Sequence, residues 1–452
     1  MRAQETGLTL KSASLGQGRP RCAASLGSLT NTRGSAMGLL AKFACRAGLR
    51  RAAASVGLVI AFGALPSTFS LAQSTSTSPA PTPPYSYFVT GAQYFMAPSP
   101  TPVQALPAPR PQALQPVVLM GGGPDVDEAY RWMIQQAGIT RSTGGRFVVI
   151  RASGTDAYDP YFYYSDKQNS TNVPAVDGFV GGAYLGLTSA ETLIISSVEG
   201  ANDPFVNAVV GSANALWIAG GDQSNYIKLW KGTKLEATIA SLLENQIPVG
   251  GTSAGANVLS EFIFSALNGT VTSAQALSDP YNNLMTFDPT PFSGSSFLNI
   301  PALQNTFVDP HFDSRDRMGR LVTFVSRTIA PGSNNTGCPQ GILKPSNARG
   351  IGIDVETALE IQKVSGRYLA QRVTNLSTNS SSAIHFLRPL TLPSVCAPGT
   401  PLTMPDVFIE KLGDSNIVFD ITNWWNGGND LRLPSYTVRE DAGVESPKKI
   451  PY

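Results

Sequence analysis

Short apolar runs that alternate with helical patterns are the feature that most constrains the fold of this chain. Runs rich in Val, Ile and Leu occupy residues 117–120, 147–152, 192–197 and 215–219, and a fifth run begins at Ile247. Continuous apolar strands separated by helices predict a mostly parallel sheet that is covered by helices on both faces. We therefore expect an α/β fold with its functional groups at the carboxyl ends of the strands.

The fifth run leads into a candidate nucleophile. Gly250 and Gly251 end the apolar residues, Ser253 follows, and a segment with helical spacing comes next. A sharp turn between strand and helix exposes a serine hydroxyl at the edge of a sheet, and only small neighbours permit its crowded backbone. An ordinary glycine-rich loop with a serine N-cap is the alternative.

The histidine content restricts the choice of a base. A serine hydroxyl needs a neighbouring group to take its proton, and histidine is the usual base because it titrates near neutrality. Of the two histidines in the chain, His385 lies in an apolar, strand-like run and is interpreted as a packed structural residue. His311 follows a strand and precedes a polar turn. We therefore predict that His311 is the base for Ser253.

The glycines at the end of the fourth run are candidates for an oxyanion hole. Gly220 and Gly221 follow that run, and their amides can approach a ligand closely. Together with the amide of Ala254, the amide of Gly221 is predicted to stabilise the oxyanion of an acyl-transfer intermediate. The glycine triplet at 121–123 lacks the Lys-Ser/Thr of a phosphate-binding P-loop, so we do not expect nucleotide binding there.

The first 72 residues have the pattern of a secretory leader. Basic residues precede an apolar run at 52–65, and the small residues Ser70 and Ala72 fit the two positions that a signal peptidase reads. We predict a start at Met37, cleavage after Ala72, and export to the periplasm or the extracellular space. A membrane anchor is the alternative, but the run has about 14 residues and a spanning helix needs ~20.

The leader also carries much of the positive charge. It holds nine of the 33 basic residues and one of the 31 acidic residues, so the formal net charge of +2 becomes about −6 without it. An acidic body gives no reason to expect nucleic acid as a partner. We expect no membrane association after cleavage, and the oligomeric state stays open, with a homodimer as one option.

Cysteine content agrees with export. Only Cys338 and Cys396 follow the leader, and an even pair in an exported chain predicts one disulfide. Two free buried thiols are the alternative. Because two cysteines and two separated histidines do not make a metal site, we expect neither a metal nor a cofactor.

Residues 73–115 are rich in Ser, Thr, Pro and Ala. Such a sequence cannot bury enough apolar surface to fold by itself, so we predict a linker. Its aromatic island at 85–89 is a candidate for docking on the main body.

Four motifs occur along the chain in one order. They are Gly-Gly-Asp-Gln at 220–223, Gly-Gly-Thr-Ser-Ala-Gly-Ala at 250–256, Asp-Pro-His-Phe at 309–312 before an arginine-rich turn, and Gly-Ile-Gly-Ile-Asp at 350–354. Together they resemble the serine peptidase family of cyanophycinase and dipeptidase E. The resemblance implies a catalytic domain at 116–375 similar to class I glutamine amidotransferases. After it, the spacing of strand-like runs predicts a β-rich segment at 376–452. The resemblance also implies hydrolysis of peptide bonds that involve aspartate.

The resemblance carries over to single residues. Ser253 corresponds to the nucleophile of the family and His311 to its base. The residues that it implies for substrate binding are Gln223, Asp309, Arg315, Arg317 and Arg320. Cyanophycin is a polyaspartate that bears arginine, so guanidinium groups suit its carboxylates and Asp309 suits its guanidinium. Internal salt bridges, for instance of Asp313 with Arg317, are the alternative.

The substrate and the third triad member stay open at this point. Cyanophycin is the leading predicted substrate, and Pro310, which matches dipeptidase E, favours short Asp-containing peptides as the second. An inactive binding protein that retains the fold is the alternative of another class. The third member should orient the histidine, and we predict Asp279. The alternatives are Asp288, Glu261 and an uncharged Gln275.

Overall fold

The protein is described by a computed structural model that covers residues 82–164, 178, 180–378, 381–424 and 434–447. The predicted leader at 1–72, with its start and its cleavage site, lies outside these residues. The first part of the predicted linker, up to residue 81, also lies outside them.

Strands and helices alternate through the first two thirds of the described chain, and strands dominate the last third. The strands are β1 (Ser86–Gly91), β2 (Leu114–Met120), β3 (Arg146–Arg151), β4 (Ser189–Ile194), β5 (Ala215–Ile218), β6 (Val249–Thr252), β7 (Ile263–Phe264), β8 (Phe287–Asp288), β9 (Thr306–Pro310), β10 (Arg349–Ile353), β11 (Thr357–Val364), β12 (Arg367–Thr374), β13 (Ile384–Pro389), β14 (Met404–Leu412), β15 (Val418–Asp420), β16 (Ser435–Asp441) and β17 (Val444–Ser446). The helices are α1 (Asp127–Gln136), α2 (Tyr158–Tyr163), α3 (Gly182–Leu185), α4 (Val198–Asn202), α5 (Pro204–Gly211), α6 (Gln223–Trp230), α7 (Lys234–Glu244), α8 (Ala254–Asn257), α9 (Ser273–Ser278) and α10 (Met318–Arg327).

The larger sheet in the described residues has nine strands in the order β1-β4-β3-β5-β6-β2-β11-β12-β15. Its five inner strands, from β4 to β2, run parallel, and the strands outside them pair antiparallel. The inner strands are the five apolar runs of the sequence. Burial on both faces requires such runs, so the predicted α/β class with flanking helices is confirmed.

Helices cover both faces of this sheet. Alternate side chains of β2 point to opposite faces, so Val117 and Leu119 join the core beneath α5 and α7, whereas Val118 and Met120 join the core beneath α1. Burying each such aliphatic side chain contributes about 1.5–3 kcal/mol. Among the described residues, no helix combines the length and the apolarity that crossing a bilayer requires.

The aromatic island of the predicted linker forms the edge strand β1. It pairs antiparallel with β4, from Ser86 opposite Ile194 to Gly91 opposite Ser189. Tyr85 stacks on Phe205 with ring centroids 5.2 Å apart. Aromatic rings bury much more apolar area than the Ser, Thr and Pro residues around them. Part of the segment at 73–115 therefore belongs to the sheet, and its aromatic residues dock as expected.

A second sheet of six strands in the described residues has the order β17-β16-β14-β13-β10-β9. Strands β9 and β10 precede residue 375 and the others follow it, so the β-rich C-terminal segment extends a sheet that begins in the predicted catalytic part. Cys338 and Cys396 form a disulfide, as predicted. His311 directly follows β9, so a strand of the second sheet positions this residue.

Candidate active site

Ser253 stands on a strained turn between β6 and α8. Its φ of 52° and ψ of −119° lie outside the regions that residues with a side chain ordinarily adopt. The glycines around it are required by space, because a Cβ on Gly251 would lie 2.5 Å from the carbonyl carbon of Gly255, and one on Gly255 would lie 2.0 Å from the carbonyl oxygen of Ile218. The structure thus has the strand–turn–helix that the sequence predicts at Ser253.

His311 lies next to this serine. The distance from Ser253 Oγ to His311 Nε2 is 2.8 Å. His311 itself has a φ of 49°, and its backbone N–H donates to the carbonyl oxygen of Gly121 at 2.7 Å. The structure therefore brings together the predicted nucleophile and the predicted base, although they are 58 residues apart in the sequence.

The backbone of Gly122 supports the imidazole ring. Gly122 has a φ of +88°, and a Cβ built on it would lie 2.5 Å from both Cε1 and Nε2 of His311. Any side chain at this position would therefore displace the ring from Ser253. Sequence reasoning considered the triplet at 121–123 only as a phosphate loop and missed this role. The signal was present, because the triplet ends a strand beside the one that carries Ser253.

The pKa of His311 is lowered to about 4, first because the ring is partly buried and then because Arg315, Arg317 and Arg320 are close; Asp309 acts in the opposite direction. Burial and neighbouring positive charge both disfavour the imidazolium. The imidazole is therefore neutral at neutral pH, which is the state that accepts a proton from a serine.

Asp309 is the centre of a buried ion cluster. It is 1% exposed, and Arg320 binds it with two hydrogen bonds, from Nε at 2.7 Å and from Nη2 at 2.5 Å. Arg317 Nη1 donates to it at 3.1 Å. These three residues were predicted to bind substrate, but the structure pairs them with one another. The internal salt bridges expected as the alternative are present, with Asp309 rather than Asp313 as the acid.

Arg315 and Gln223 have different surroundings from this cluster. Arg315 is exposed on the turn between His311 and α10, and no ion pair joins it to another residue in the described part of the chain. Its charge contributes to the low pKa of His311, so it lies near the ring. Gln223 is half-buried at the start of α6 and donates from Nε2 to the carbonyl of Phe264 at 3.3 Å.

The loop after β5 carries Gly221, one of the two predicted oxyanion donors, and Ala254, the other, begins α8. A Cβ on Gly220 would lie 3.4 Å from Cβ of Ser253, so this loop lies directly beside the serine. The amides of Gly221 and Ala254 donate to no acceptor within the described residues. The hydroxyl of Tyr226 donates to the carbonyl of Ala219 at 2.8 Å and supports the loop from below.

Asp279, the predicted third triad member, is not brought to His311. Its Oδ1 accepts hydrogen bonds from the amides of Tyr281 at 2.9 Å and Gly399 at 3.0 Å. It stands at the carboxyl end of α9 and holds that end to the loop before β14. Asp279 lies between Ser253 and His311 in the sequence, which is why it was predicted. In the structure its carboxylate binds backbone amides away from His311.

The alternatives to Asp279 are also engaged elsewhere. Asp288 binds Lys231 at 2.7 and 2.8 Å, Glu261 accepts from the amide of Asn305, and Gln275 completes a capping box with Thr272. Among the described residues, no carboxylate forms a hydrogen bond or an ion pair with His311.

His385 is the structural histidine that the sequence predicts. It is fully buried, and its Nε2 lies 3.3 Å from Oδ1 of Asp354. Its ring lies 5.0 Å from that of Phe312.

An elbow serine hydrogen-bonded to a histidine, at the carboxyl ends of parallel strands, defines a serine hydrolase. Residues 177–328, which include Ser253 and His311, match the model of Peptidase family S51. The chain therefore contains a peptidase family S51 domain and is a serine-type peptidase.

The solved structures that are similar to the chain include two peptidases. A peptidase from an acI-B1 Actinobacterium is 20% identical over 64% of this chain and 96% of that one, with a TM-score of 0.38. A putative peptidase E protein from Listeria monocytogenes EGD-e is 15% identical over 58% of this chain and 100% of that one, with a TM-score of 0.32. No curated protein matches the sequence.

Proposed function

We propose that the chain is an exported serine peptidase that hydrolyses aspartyl or isoaspartyl bonds in short peptides. A family S51 domain supports a peptidase that acts on Asp-containing peptides. The observation that carries the proposal is the 2.8 Å contact between Ser253 Oγ and His311 Nε2 inside that domain.

The geometry supports acyl transfer through a covalent intermediate. His311 takes the proton of Ser253 as Oγ attacks the peptide carbonyl, and it then gives that proton to the leaving amine. The amides of Gly221 and Ala254 stabilise the oxyanion, a contribution that is typically worth about 10²–10³ in rate for each donor. Water, deprotonated by the same histidine, releases the acyl group.

Arg315 is the group that we assign to the substrate carboxylate. Its guanidinium is exposed beside His311, and guanidinium binds carboxylate through paired hydrogen bonds. Asp309, in contrast, is saturated by Arg317 and Arg320, so recognition of an arginine side chain by Asp309 lacks support. Cyanophycin stays a prediction. The exposed guanidinium of Arg315, together with an Asp309 that already binds two arginines, favours short acidic peptides.

Export is supported by two features. The disulfide between Cys338 and Cys396 is typical of oxidising compartments, and the leader has the charge and hydropathy pattern of a signal peptide. Comparing the N-terminus of the secreted protein with the predicted cleavage after Ala72 tests this part of the proposal.

The decisive assay compares the purified protein with Ser253→Ala on α- and β-aspartyl dipeptides, on matched dipeptides that contain asparagine, and on insoluble cyanophycin. We expect cleavage of the aspartyl dipeptides, and we expect Ser253→Ala to abolish it. Clearing of cyanophycin would restore the polymer as the substrate. Inertness towards all substrates would favour the alternative, a binding protein that retains the fold.

A further inference from the structure

Glu360 is a half-buried carboxylate on the face of the larger sheet that α1 covers. On β11 its neighbours Leu359 and Ile361 point into one core, and Glu360 points to the opposite face, beneath α1. Its partners across the sheet are Val118 on β2 and Gln371 on β12. A half-buried carboxylate loses part of its hydration, which costs free energy unless a partner compensates for it.

No such partner is present in the described residues. No hydrogen bond or ion pair to the Glu360 carboxylate is found there, and burial, followed by the charge of Glu128, raises the pKa of Glu360 to about 8. The guanidinium of Arg131, in the same region, donates to Glu128 at 2.5 Å and to the carbonyl of Val180 at 3.3 Å.

Glu360 lies in the wall of a cavity of about 500 Å³, a volume within the range of small-molecule sites. Most of its wall is apolar, and Trp132 lines it together with the carboxylates of Glu360 and Glu128. The remaining lining residues are Arg131, Ile134, Gln135, Ile139, Leu185 and Val373. A second cavity of about 90 Å³ also has Trp132 and Glu360 in its wall.

We propose that this cavity binds a small organic cation, with an apolar body against Trp132 and a protonated amine or guanidinium group against Glu360. An opposite charge compensates the half-buried carboxylate, and the indole attracts a cation through its ring face. No lining residue belongs to the Ser253 and His311 pair, so the proposal is independent of the proposed reaction.

A proton should leave the protein when the cation binds. Glu360 has a pKa of about 8 in the empty cavity, so it is mostly protonated at pH 7. A bound cation favours the carboxylate and lowers that pKa. Binding at pH 7 therefore releases up to about one proton for each cation bound.

The test is isothermal titration calorimetry of the full-length protein with 2-phenylethylamine as the probe and 2-phenylethanol as its uncharged control. We expect saturable binding of the amine, and weaker binding of the alcohol by at least about tenfold. Repeating the titration at pH 7 in two buffers of different ionisation enthalpy measures the released proton.

Glu360→Gln keeps the shape of the side chain and removes its charge, so it should weaken amine binding at least about tenfold and abolish proton release. Glu199→Gln, at an exposed glutamate on α4, is the matched control and should change neither amine binding nor proton release.

Three results would each overturn the proposal: no saturable binding of the amine, equal affinity for the amine and the alcohol, or unchanged binding of the amine by Glu360→Gln. The comparison of the two probes on the unmodified protein stays decisive even if Glu360→Gln does not fold.

Discussion

The two histidines of this chain both adjoin Phe312 but have different chemical surroundings. Phe312 follows His311 in the sequence, and its ring contacts that of His385. His385 is fully buried beside Asp354, whereas His311 lies on glycine backbone, next to Ser253 and a group of arginines. The comparison shows that a carboxylate accompanies the buried histidine here, and that main-chain contacts position His311, the predicted base.

The largest expected effect comes from replacing each histidine, in separate variants, by a residue that cannot act as a base. His311→Ala should lower kcat by at least about 10³-fold because it removes the base. His385→Gln should leave kcat within a few-fold and lower the free energy of unfolding by about 1–3 kcal/mol, because it breaks a buried polar contact. Steady-state kinetics and urea denaturation of both variants measure these effects. A loss of activity in His385→Gln without a loss of stability would contradict the assignment of His385 as a structural residue.

The next effect tests whether glycine backbone positions His311. Gly122→Ala places a Cβ against the imidazole, and a displacement of about 1 Å can cost about 10²-fold in kcat. Gly123→Ala is the matched control, because Gly123 has a similar φ of +83° but its Cβ would meet Val355, at 3.2 Å. Both variants carry the same kind of backbone penalty. Equal loss of kcat in both would show that strain, and not the contact with the ring, is responsible.

A third change concerns the acid near His311. Asp309→Asn leaves the buried guanidinium groups of Arg317 and Arg320 without their partner, so we expect a loss of stability of about 3–5 kcal/mol. Asp279→Asn weakens hydrogen bonds to two amides and should cost about 1–2 kcal/mol, with little change in kcat. Urea denaturation ranks the two variants. A loss of about 10⁴-fold in kcat in Asp279→Asn would identify it as a triad member after all.

The smallest effect is a shift in pH dependence. The pKa of His311 is lowered to about 4 by burial and by neighbouring arginines, so the protein holds its active, neutral imidazole above that pH. Arg315→Gln removes one positive charge, which raises this pKa, and the acid limb of kcat/KM should move to higher pH by less than about one unit. Arg439→Gln, at an exposed arginine paired with Asp406, should leave the limb in place. A shift to lower pH in Arg315→Gln would contradict the assignment.

Local patterns predicted much of the fold. The inner strands and the turn at Ser253 depend on apolar runs and on small residues that are adjacent in the sequence, and both are present. The Ser, Thr and Pro residues around the edge strand β1 predict a linker, and only its aromatic residues indicate that it docks on the main body.

Long-range contacts explain what sequence reasoning did not reach. The partners of Asp309 come from the helix that follows it, and their burial decides that they bind each other instead of a substrate. The role of Gly122 depends on β2 lying beside β6, and this neighbourhood is set by the sheet order. The position of Asp279 between Ser253 and His311 predicts a triad member. Its place at the end of α9 instead brings its carboxylate to the amide of Gly399.

The central claim is that Ser253 is activated by His311. Labelling of the purified protein with a fluorophosphonate, followed by peptide mass spectrometry, tests it most directly. We expect one adduct on Ser253 in the unmodified protein, no adduct in Ser253→Ala, and labelling slowed by at least about 10³-fold in His311→Ala. Absence of an adduct on Ser253, or an unchanged labelling rate in His311→Ala, would contradict the account.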